Sequence, residues 1–241
     1  MKPVAIFRHS VTEGPGYFAT FLDAHQIPWQ LIAIDKNEAV PASTNSYSGF
    51  CLMGGPMSVN DPLPWIDAIC ALIQEAIAHN TPVIGHCLGG QLISKALGGT
   101  ITRSPCKEIG WGKARPESNI LARSWLGNFL ERSSGEADVF QWHGETFSIP
   151  PGGQRILTND HCPNQMFGYG PHLAMQCHIE MTFEMIEEWC RAWEAELTHP
   201  EALPPTIQTP EQMLLEAPSR LPAMRELADQ LYSVWIKGLK A

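Results

Sequence analysis

The sequence predicts an α/β fold with a mostly parallel sheet and helices on both faces. Short apolar segments alternate with amphipathic segments through most of the chain, which is the pattern of β-α-β units. One apolar run, Pro82–Ile84, leads into a cysteine flanked by glycines, and an apolar helical segment, residues 92–97, follows it. A strand, a tight turn and a helix in that order place the turn at the carboxyl edge of the sheet, where open α/β folds bind ligands.

The individual elements follow from local patterns. Short apolar runs predict strands, and apolar residues at three- and four-residue spacing predict helices. The predicted strands are Val4–Phe7, Gln30–Ile34, Gly49–Met53, Pro82–Gly85, Ile109–Ala114, Asp138–Trp142, Arg155–Asn159 and Leu173–Cys177. The predicted helices are Tyr17–His25, Trp65–His79 and a segment from its N-cap Thr182 to about Leu197. The strands from Ile109 onward allow an antiparallel extension of the sheet.

The composition changes at His199. Prolines crowd the segment that follows, which we interpret as an extended connector, and residues 209–212 (TPEQ) have the pattern of a capped helix start. We therefore expect residues 1–198 to form the main domain and residues 199–241 to form a C-terminal helical extension. Its last helix, from about Pro222 to Lys237, carries one apolar face. That face either packs back onto the core or serves as a docking surface for a partner or for a second copy of the chain.

Composition excludes several classes of function. The 241 residues, with 44% hydrophobic and 17% charged side chains, are typical of a globular protein. The net charge of −9 disfavours nucleic acids and anionic membranes as partners, and no apolar run is long enough to span a bilayer. Seven scattered cysteines favour the reducing cytoplasm over a disulfide framework. His161-Cys162 and Cys177-His178 lack the spacing of a metal site, so we expect no metal and no other cofactor.

Cys87 is the strongest candidate for a nucleophile. In the segment 85–91 (GHCLGGQ), Gly85 and Gly89 lie two residues either side of the cysteine. Such an elbow turns so tightly that side chains at the flanking positions would clash, and it exposes the sulfur at a helix N-terminus, which favours thiolate. The N–H of Leu88 would then lie beside the sulfur, where it could bind a developing oxyanion. A buried structural cysteine is the alternative.

A base for this nucleophile is predicted far downstream. His178 follows a buried run, and Glu180 comes two residues later, so in extended backbone both side chains point the same way. Cys87, His178 and Glu180 would then act as nucleophile, base and orienting group. A histidine at a strand end, bonded only to backbone, is the alternative for His178.

Four segments together resemble the class I, triad-type glutamine amidotransferases. They are residues 53–59 (MGGPMSV), 85–91 (GHCLGGQ), 141–145 (QWHGE) and 176–180 (QCHIE), in the order of the family's motifs. Residues 107–111 (KEIGW) and 164–167 (NQMF) resemble segments of the stand-alone, GMP-synthase-like members. The resemblance implies a flavodoxin-like, three-layer, doubly wound core. It also implies hydrolysis of the glutamine side-chain amide through a γ-glutamyl thioester.

The resemblance further implies roles for particular residues. Cys87 would be the nucleophile, His178 the acid and base, and Glu180 its orienting group. The backbone N–H groups of Gly55 and Leu88 would form the oxyanion hole. The residues implied to bind the substrate are Gly54, Gln91, Trp142, His143, Gly144 and Glu145.

The resemblance leaves the substrate and the partners open. The subgroup includes enzymes that cleave γ-glutamyl peptides, so glutamine and γ-glutamyl compounds are both candidate substrates. The chain has no P-loop pattern for activating an acceptor, so ammonia either passes to a separate synthetase-type subunit or is released. A cysteine-elbow protein outside the amidase class and a non-catalytic binding or regulatory subunit are further alternatives. Ile179 replaces the proline that the family usually has between the histidine and the glutamate, and we expect this to affect the rate rather than the roles.

Overall fold

A nine-stranded sheet forms the centre of the protein, for which the computed structural model describes residues 1–127, 129, 135–197 and 204–240. The strands are β1 Val4–Arg8, β2 Trp29–Ala33, β3 Gly49–Leu52, β4 Val83–His86, β5 Ile101–Pro116, β6 Ala137–Phe147, β7 Gln154–Thr158, β8 Met166–Tyr169 and β9 His172–Met175. The α-helices in these residues are α1 Gly16–Ala24, α2 Pro64–Ala78, α3 Leu88–Ala96, α4 Ile120–Leu126, α5 Phe183–Ala192 and α6 Pro210–Trp235. Across the sheet the strands follow the order β2-β1-β3-β4-β9-β8-β7-β5-β6.

The sheet is half parallel and half antiparallel. Strands β2, β1, β3, β4 and β9 pair in parallel, and β9, β8, β7, β5 and β6 pair in antiparallel fashion. The predicted α/β fold is thus confirmed, whereas the sheet is mixed rather than mostly parallel. The difference arises because the long strands β5 and β6 pair along most of their length, and because the short strand β8 was not predicted. A tight turn joins β8 to β9, and only antiparallel neighbours can be joined in that way.

Helices pack on both faces of the sheet. Along β1, Val4 and Ile6 point into one apolar cluster and Ala5 and Phe7 into the other, as the two-residue period of a strand requires. Helices α1, α5 and α6 contribute buried side chains to the first cluster, and α2 and α3 contribute to the second. Strands β1, β3 and β4 are therefore covered on both sides, which explains their nearly uninterrupted apolar sequences.

The C-terminal helix α6 is longer than predicted. It starts at the capping box of Thr209 and Gln212 and runs unbroken through Pro218 and Pro222, where the sequence predicted a separate helix. An internal proline costs a backbone hydrogen bond. The helix nevertheless continues, because one face is buried in the first cluster along its whole length, from Met213 to Trp235. That apolar face is therefore covered by the core of the same chain.

Two sequence predictions concern the junction before α6. The helix predicted from Thr182 to about Leu197 ends at Ala192, and a 3₁₀ turn, Glu194–Glu196, follows. The domain boundary predicted between residues 198 and 199, and the first part of the connector, residues 199–203, lie outside the described residues. In the part of the chain that is described, no helix is long and apolar enough to cross a membrane.

Candidate active site

The carboxyl ends of the parallel strands bring the candidate residues together. Cys87 follows β4 directly and occupies the N-cap position of α3. Its backbone has φ 49° and ψ −106°, a left-handed conformation that L-residues rarely adopt and that is typical of a nucleophile elbow. The side chain is 7% exposed, at the wall of a cavity. The predicted strand, elbow and helix thus occupy the predicted positions.

The two glycines that flank the elbow allow close packing of backbone against backbone. A side chain at Gly85 would clash with the backbone of Gly89 in the first turn of α3. A side chain at Gly89 would clash with the carbonyl group of Leu52 at the end of β3. The first turn of α3 is therefore pressed against two strands, and this contact holds the sulfur at the edge of the sheet.

His178 and Glu180 reach Cys87 from the end of β9. Nδ1 of His178 donates a hydrogen bond to Oε1 of Glu180 over 2.6 Å, and the imidazole is also hydrogen-bonded to the Cys87 side chain. The second carboxylate oxygen, Oε2, accepts the backbone N–H of Ile179 at 2.9 Å. The segment itself is held by paired backbone hydrogen bonds between His178 and Phe140 of β6, at 2.8 and 3.0 Å. Cys87, His178 and Glu180 therefore form one continuous line of contacts.

The electrostatics of this line favour a charged imidazolium at His178 and an ionised carboxylate at Glu180. Burial by itself lowers the pKa of His178, but the Glu180 carboxylate and the hydrogen bonds to Cys87 and Glu180 outweigh it and raise the pKa well above its usual value. Burial by itself raises the pKa of Glu180, but its interactions with His86 and His178 and the hydrogen bond from His178 bring it down to about 2. His86 is pushed toward its neutral form by burial, so His178 is the cation that Glu180 faces. The cation next to the sulfur of Cys87 is therefore the imidazolium of His178.

Further donors surround the sulfur. Gln176 donates from Nε2 to Sγ of Cys87 over 3.5 Å, and its Oε1 accepts a hydrogen bond from Gln91 at 3.2 Å. Gly55 packs against the side chain of Leu88, so the two predicted oxyanion-hole residues lie beside one another. Leu88 is the first residue of α3, where a backbone N–H has no acceptor within the helix. The sequence did not single out Gln176, although it belongs to the same short segment as His178.

A cavity of about 720 Å³ opens above the sulfur. Five of the residues predicted to bind substrate line it: Gln91, Trp142, His143, Gly144 and Glu145. The carbonyl oxygen of Trp142 is 4.0 Å from Sγ of Cys87, and the Glu145 carboxylate accepts a hydrogen bond from Ser58 at 3.1 Å. Gly54 lies deeper, where its Cα faces the carboxyl group of Glu13 and the ring of His178. Arg103 and Lys107 are also part of the cavity wall.

Glu13 is a cavity residue that sequence reasoning missed. Its side chain is buried, close to His178 and Gly54, and Oε2 has no hydrogen-bond partner among the described residues. Burial raises its pKa to about 8. The charge of His178 acts in the opposite direction and lowers the pKa, whereas the charge of Glu180 raises it further. Glu13 follows β1, and the carboxyl ends of neighbouring parallel strands share one edge, so its position after a strand was the available signal.

Among the described residues, one buried group could hold a metal ion. Glu108, His143 and Cys162 bring ligand atoms within 4.8 Å of one another. Both carboxylate oxygens of Glu108 already accept side-chain amide hydrogen bonds, at 2.6 Å from Asn159 and 3.1 Å from Gln165. The Glu108 carboxylate thus already has protein partners, and His143, one of the three residues, also lines the cavity above Cys87.

The family was decided by comparison with known proteins. A family model described as Glutamine amidotransferase class-I matches residues 22–187. The chain belongs to that family. The predicted family is confirmed.

Three similar proteins place this class I glutamine amidotransferase more closely. A putative glutamine amidotransferase-like protein, YfeJ, from Salmonella typhimurium is 28% identical over 187 residues, covering 74% of this chain and 76% of that protein. Gamma-glutamyl peptidase 3 from Arabidopsis thaliana is 25% identical over 181 residues, covering 72% of each. The crystal structure of a glutamine amido transferase from Methylobacillus flagellatus is 44% identical, with a TM-score of 0.94, and covers 100% of this chain and 96% of its own. The chain is thus similar, over most of its length, to proteins of comparable length.

Proposed function

We propose that this protein hydrolyses the side-chain amide of L-glutamine through a γ-glutamyl thioester on Cys87. The proposal is carried by one observation, the continuous contact from the Cys87 side chain through the His178 imidazole to the Glu180 carboxylate. A cysteine, a base and a carboxylate in that line are the working parts of nucleophilic acyl transfer. A flavodoxin-like arrangement of the parallel strands supports the proposal, because it brings these parts to one edge of the sheet.

The first half of the reaction uses the ionised pair. The Cys87 thiolate attacks the amide carbon, and the N–H groups of Gly55 and Leu88 stabilise the oxyanion that forms. His178, as imidazolium, donates its proton to the amide nitrogen, the C–N bond breaks and ammonia leaves. Loss of one oxyanion donor typically reduces the rate by about 10²- to 10³-fold. The product of this half is a thioester between the glutamyl group and Cys87.

The second half regenerates the enzyme. His178 is now neutral, so it accepts a proton from water as the water oxygen attacks the thioester carbon. Collapse of the second oxyanion breaks the C–S bond and releases glutamate. Glu180 remains ionised through both halves, since its pKa of about 2 lies far below neutral pH, and it holds the imidazole ring in one orientation.

The cavity favours a second candidate substrate, a γ-glutamyl peptide. Its volume of about 720 Å³ lies in the range of sites for ligands much larger than one amino acid. Lys107 pairs with Glu196, whereas Arg103 forms no ion pair with any residue that the structure describes. The guanidinium of Arg103 could bind the carboxylate of the amino acid that follows the γ-glutamyl group. The similarity to gamma-glutamyl peptidase 3 supports the same alternative.

A direct comparison of substrates separates the candidates. The purified protein is incubated with glutamine and with γ-glutamyl dipeptides, and ammonia and free amino acids are measured. Asparagine and an α-linked glutamyl dipeptide serve as matched controls, because each moves the scissile amide away from the sulfur. Release of ammonia from glutamine supports the first candidate, and release of the second amino acid supports the peptidase. Activity that persists in Cys87→Ser, or no activity with either class, would contradict the proposal and favour a binding or regulatory role.

The route of the released ammonia is a separate part of the proposal. We expect either free release or transfer to a synthetase-type subunit, and co-purification of such a subunit with the tagged protein distinguishes them. A homodimer remains a prediction that sedimentation can test. The seven cysteines are all free, which supports the predicted cytoplasmic location.

A further inference from the structure

The imidazole of His86 lies directly behind the triad and contacts the C-terminal helix. Its Nε2 is 3.0 Å from the hydroxyl of Tyr232, on α6, and 3.8 Å from Oε2 of Glu180. All three side chains are buried, and Tyr232 is fully enclosed. The line of contacts that starts at Cys87 therefore continues past Glu180 to a residue 146 positions away from His86 in the chain.

The protons in this line can be assigned from the partners of His86. The backbone carbonyl of Leu52 raises the pKa of His86, and a carbonyl only accepts, so we assign a proton to the ring nitrogen that faces Leu52. Burial lowers the pKa of His86, the charge of Glu180 raises it and that of His178 lowers it, and the net direction is down. A neutral imidazole has a single N–H, which is directed at Leu52. Nε2 is therefore an acceptor, and the Tyr232 hydroxyl donates to it.

We propose that Tyr232 is a positioning residue for the triad, whose hydroxyl keeps His86 in the neutral Nδ1–H form so that the charge of Glu180 acts on His178. The inference rests on the proposed function, in which the Cys87 thiolate and the His178 imidazolium are the reactive pair. Without the hydroxyl, the buried lone pair of Nε2 would have no hydrogen-bond donor, and it would lie beside a carboxylate. A proton from solvent would satisfy it, and His86 would become a second imidazolium.

A second imidazolium would weaken the triad in two ways. It would pair with Oε2 of Glu180, which is already 3.8 Å from Nε2, and so withdraw part of the carboxylate charge from His178. It would also repel the positive charge of His178, an interaction that already lowers the pKa of His86. Both effects lower the pKa of His178, so the reactive ion pair would be lost at a lower pH.

Other ionisable groups face His86 and Tyr232 from the neighbouring elements. Sγ of Cys51, on β3, is 3.9 Å from Nδ1 of His86, and burial holds its pKa well above the usual value, so it stays a neutral thiol. Glu13 interacts with His178 and Glu180, and burial raises its pKa to about 8. Tyr17 on α1 and Asp229 on α6 also interact with Tyr232, and the Tyr17 hydroxyl donates to Asp229 over 2.7 Å. Below about pH 8, Glu180 and His178 are therefore the charged groups nearest to His86.

Tyr17 offers a matched control for Tyr232. Each tyrosine hydroxyl makes one hydrogen bond that involves α6, but the Tyr17 hydroxyl bonds Asp229 and not a histidine. Tyr232→Phe and Tyr17→Phe therefore each remove one tyrosine hydroxyl that forms a hydrogen bond involving α6. Only the first change leaves the lone pair of His86 without a donor.

The experiment compares the pH dependence of the wild-type protein and the two variants. The alkaline limb of kcat/KM reports loss of the His178 imidazolium. The rate of Cys87 alkylation by iodoacetate reports the same loss without any substrate, because the imidazolium attracts this anionic reagent. We expect Tyr232→Phe to move both alkaline limbs down by about one pH unit, as one charge within 4–6 Å does, with KM little changed. Tyr17→Phe should keep the wild-type limbs. Tyr232→Phe combined with His86→Gln should move the limbs back up, because glutamine cannot take up a proton.

The state of His86 can be read independently of activity. In ¹⁵N-histidine NMR of the wild-type protein at pH 7, we expect the neutral Nδ1–H tautomer for His86, and the imidazolium in Tyr232→Phe. A wild-type His86 that is protonated or carries its proton on Nε2 overturns the inference, as do unshifted limbs in Tyr232→Phe. If Tyr232→Phe does not fold, the wild-type spectrum decides alone. A wild-type protein without activity contradicts the proposed function, whereas the spectrum and the alkylation profile still decide the inference.

Discussion

Nδ1 of His178 lies 2.6 Å from Oε1 of Glu180, although the strand predicted to align the two side chains ends earlier, at Met175. The segment that carries them is held instead by backbone hydrogen bonds between His178 and Phe140, and by Trp189, whose ring meets the imidazole edge-on at 4.9 Å. The orientation of the base is therefore a result of packing by β6 and α5. The contact with Glu180 makes that residue the first target for mutation.

Glu180→Gln should slow turnover by about 10²- to 10⁴-fold, less than the loss of Cys87. The glutamine side chain keeps the shape but removes the charge that raises the pKa of His178. The alkaline limb of kcat/KM should therefore move to lower pH in the variant. Glu184→Gln, a surface change on α5, is the control and should match the wild type. Equal rates for the wild type and Glu180→Gln would mean that another group orients His178.

An electrophilic chloroketone analogue of glutamine should label Cys87 alone among the seven cysteines. Only this sulfur lines the cavity, within the described residues, and has an imidazolium as its neighbour. Burial raises the pKa of most other thiols and keeps them protonated at neutral pH: Cys51, Cys70, Cys162, Cys177 and Cys190. Peptide mass mapping identifies the adduct.

Iodoacetamide provides the control for this labelling, because it needs no binding site. We expect it to modify the partly exposed Cys106 as well as Cys87, and excess glutamine to protect Cys87 only. An analogue adduct on any thiol other than Cys87 would overturn the assignment of the nucleophile.

Glu13→Gln should change the pH dependence of stability. The folded protein holds the Glu13 proton up to about pH 8, whereas the unfolded chain releases it near pH 4.5, so the folded state binds more protons between these values. The wild type should therefore lose free energy of unfolding, relative to Glu13→Gln, as the pH rises through this range. The relative loss reaches about 4 kcal/mol by pH 8. Urea unfolding of both proteins at pH 5 and pH 8.5 measures it, and a constant difference between them would show that Glu13 ionises normally.

Gly89→Ala should destabilise the protein, although alanine is the better helix former by up to about 1 kcal/mol. The new methyl group would clash with the carbonyl of Leu52 and push α3 away from β3. We expect a cost of about 1–3 kcal/mol in urea unfolding, together with loss of activity as Cys87 moves. Gly14→Ala is the control for stability, since a methyl group there has no neighbour within 4 Å. A more stable Gly89→Ala variant would show that the elbow is loosely packed.

The first four strands and the first two helices were predicted to within two residues of their observed ends. They have local signals, namely apolar runs of the right length and an apolar stripe on α2 that begins after a proline. Strand β8 lacks such a signal, because its apolar run is only two residues long, Met166 and Phe167, before Gly168 interrupts it. The sequence predicted a separate helix from about Pro222, because the cost of an internal proline can be read from the local sequence. The apolar burial that offsets this cost depends on residues far away in the chain.

The sequence by itself determined the family, the elbow at Cys87 and the pairing of His178 with Glu180. Each of these depends on residues close together in the chain, where backbone geometry leaves few alternatives. Only the tertiary structure brought Glu13 into the cavity and placed the Tyr232 hydroxyl on His86. Contacts between residues so far apart depend on how the sheet and its helices pack, and no local period or motif encodes them.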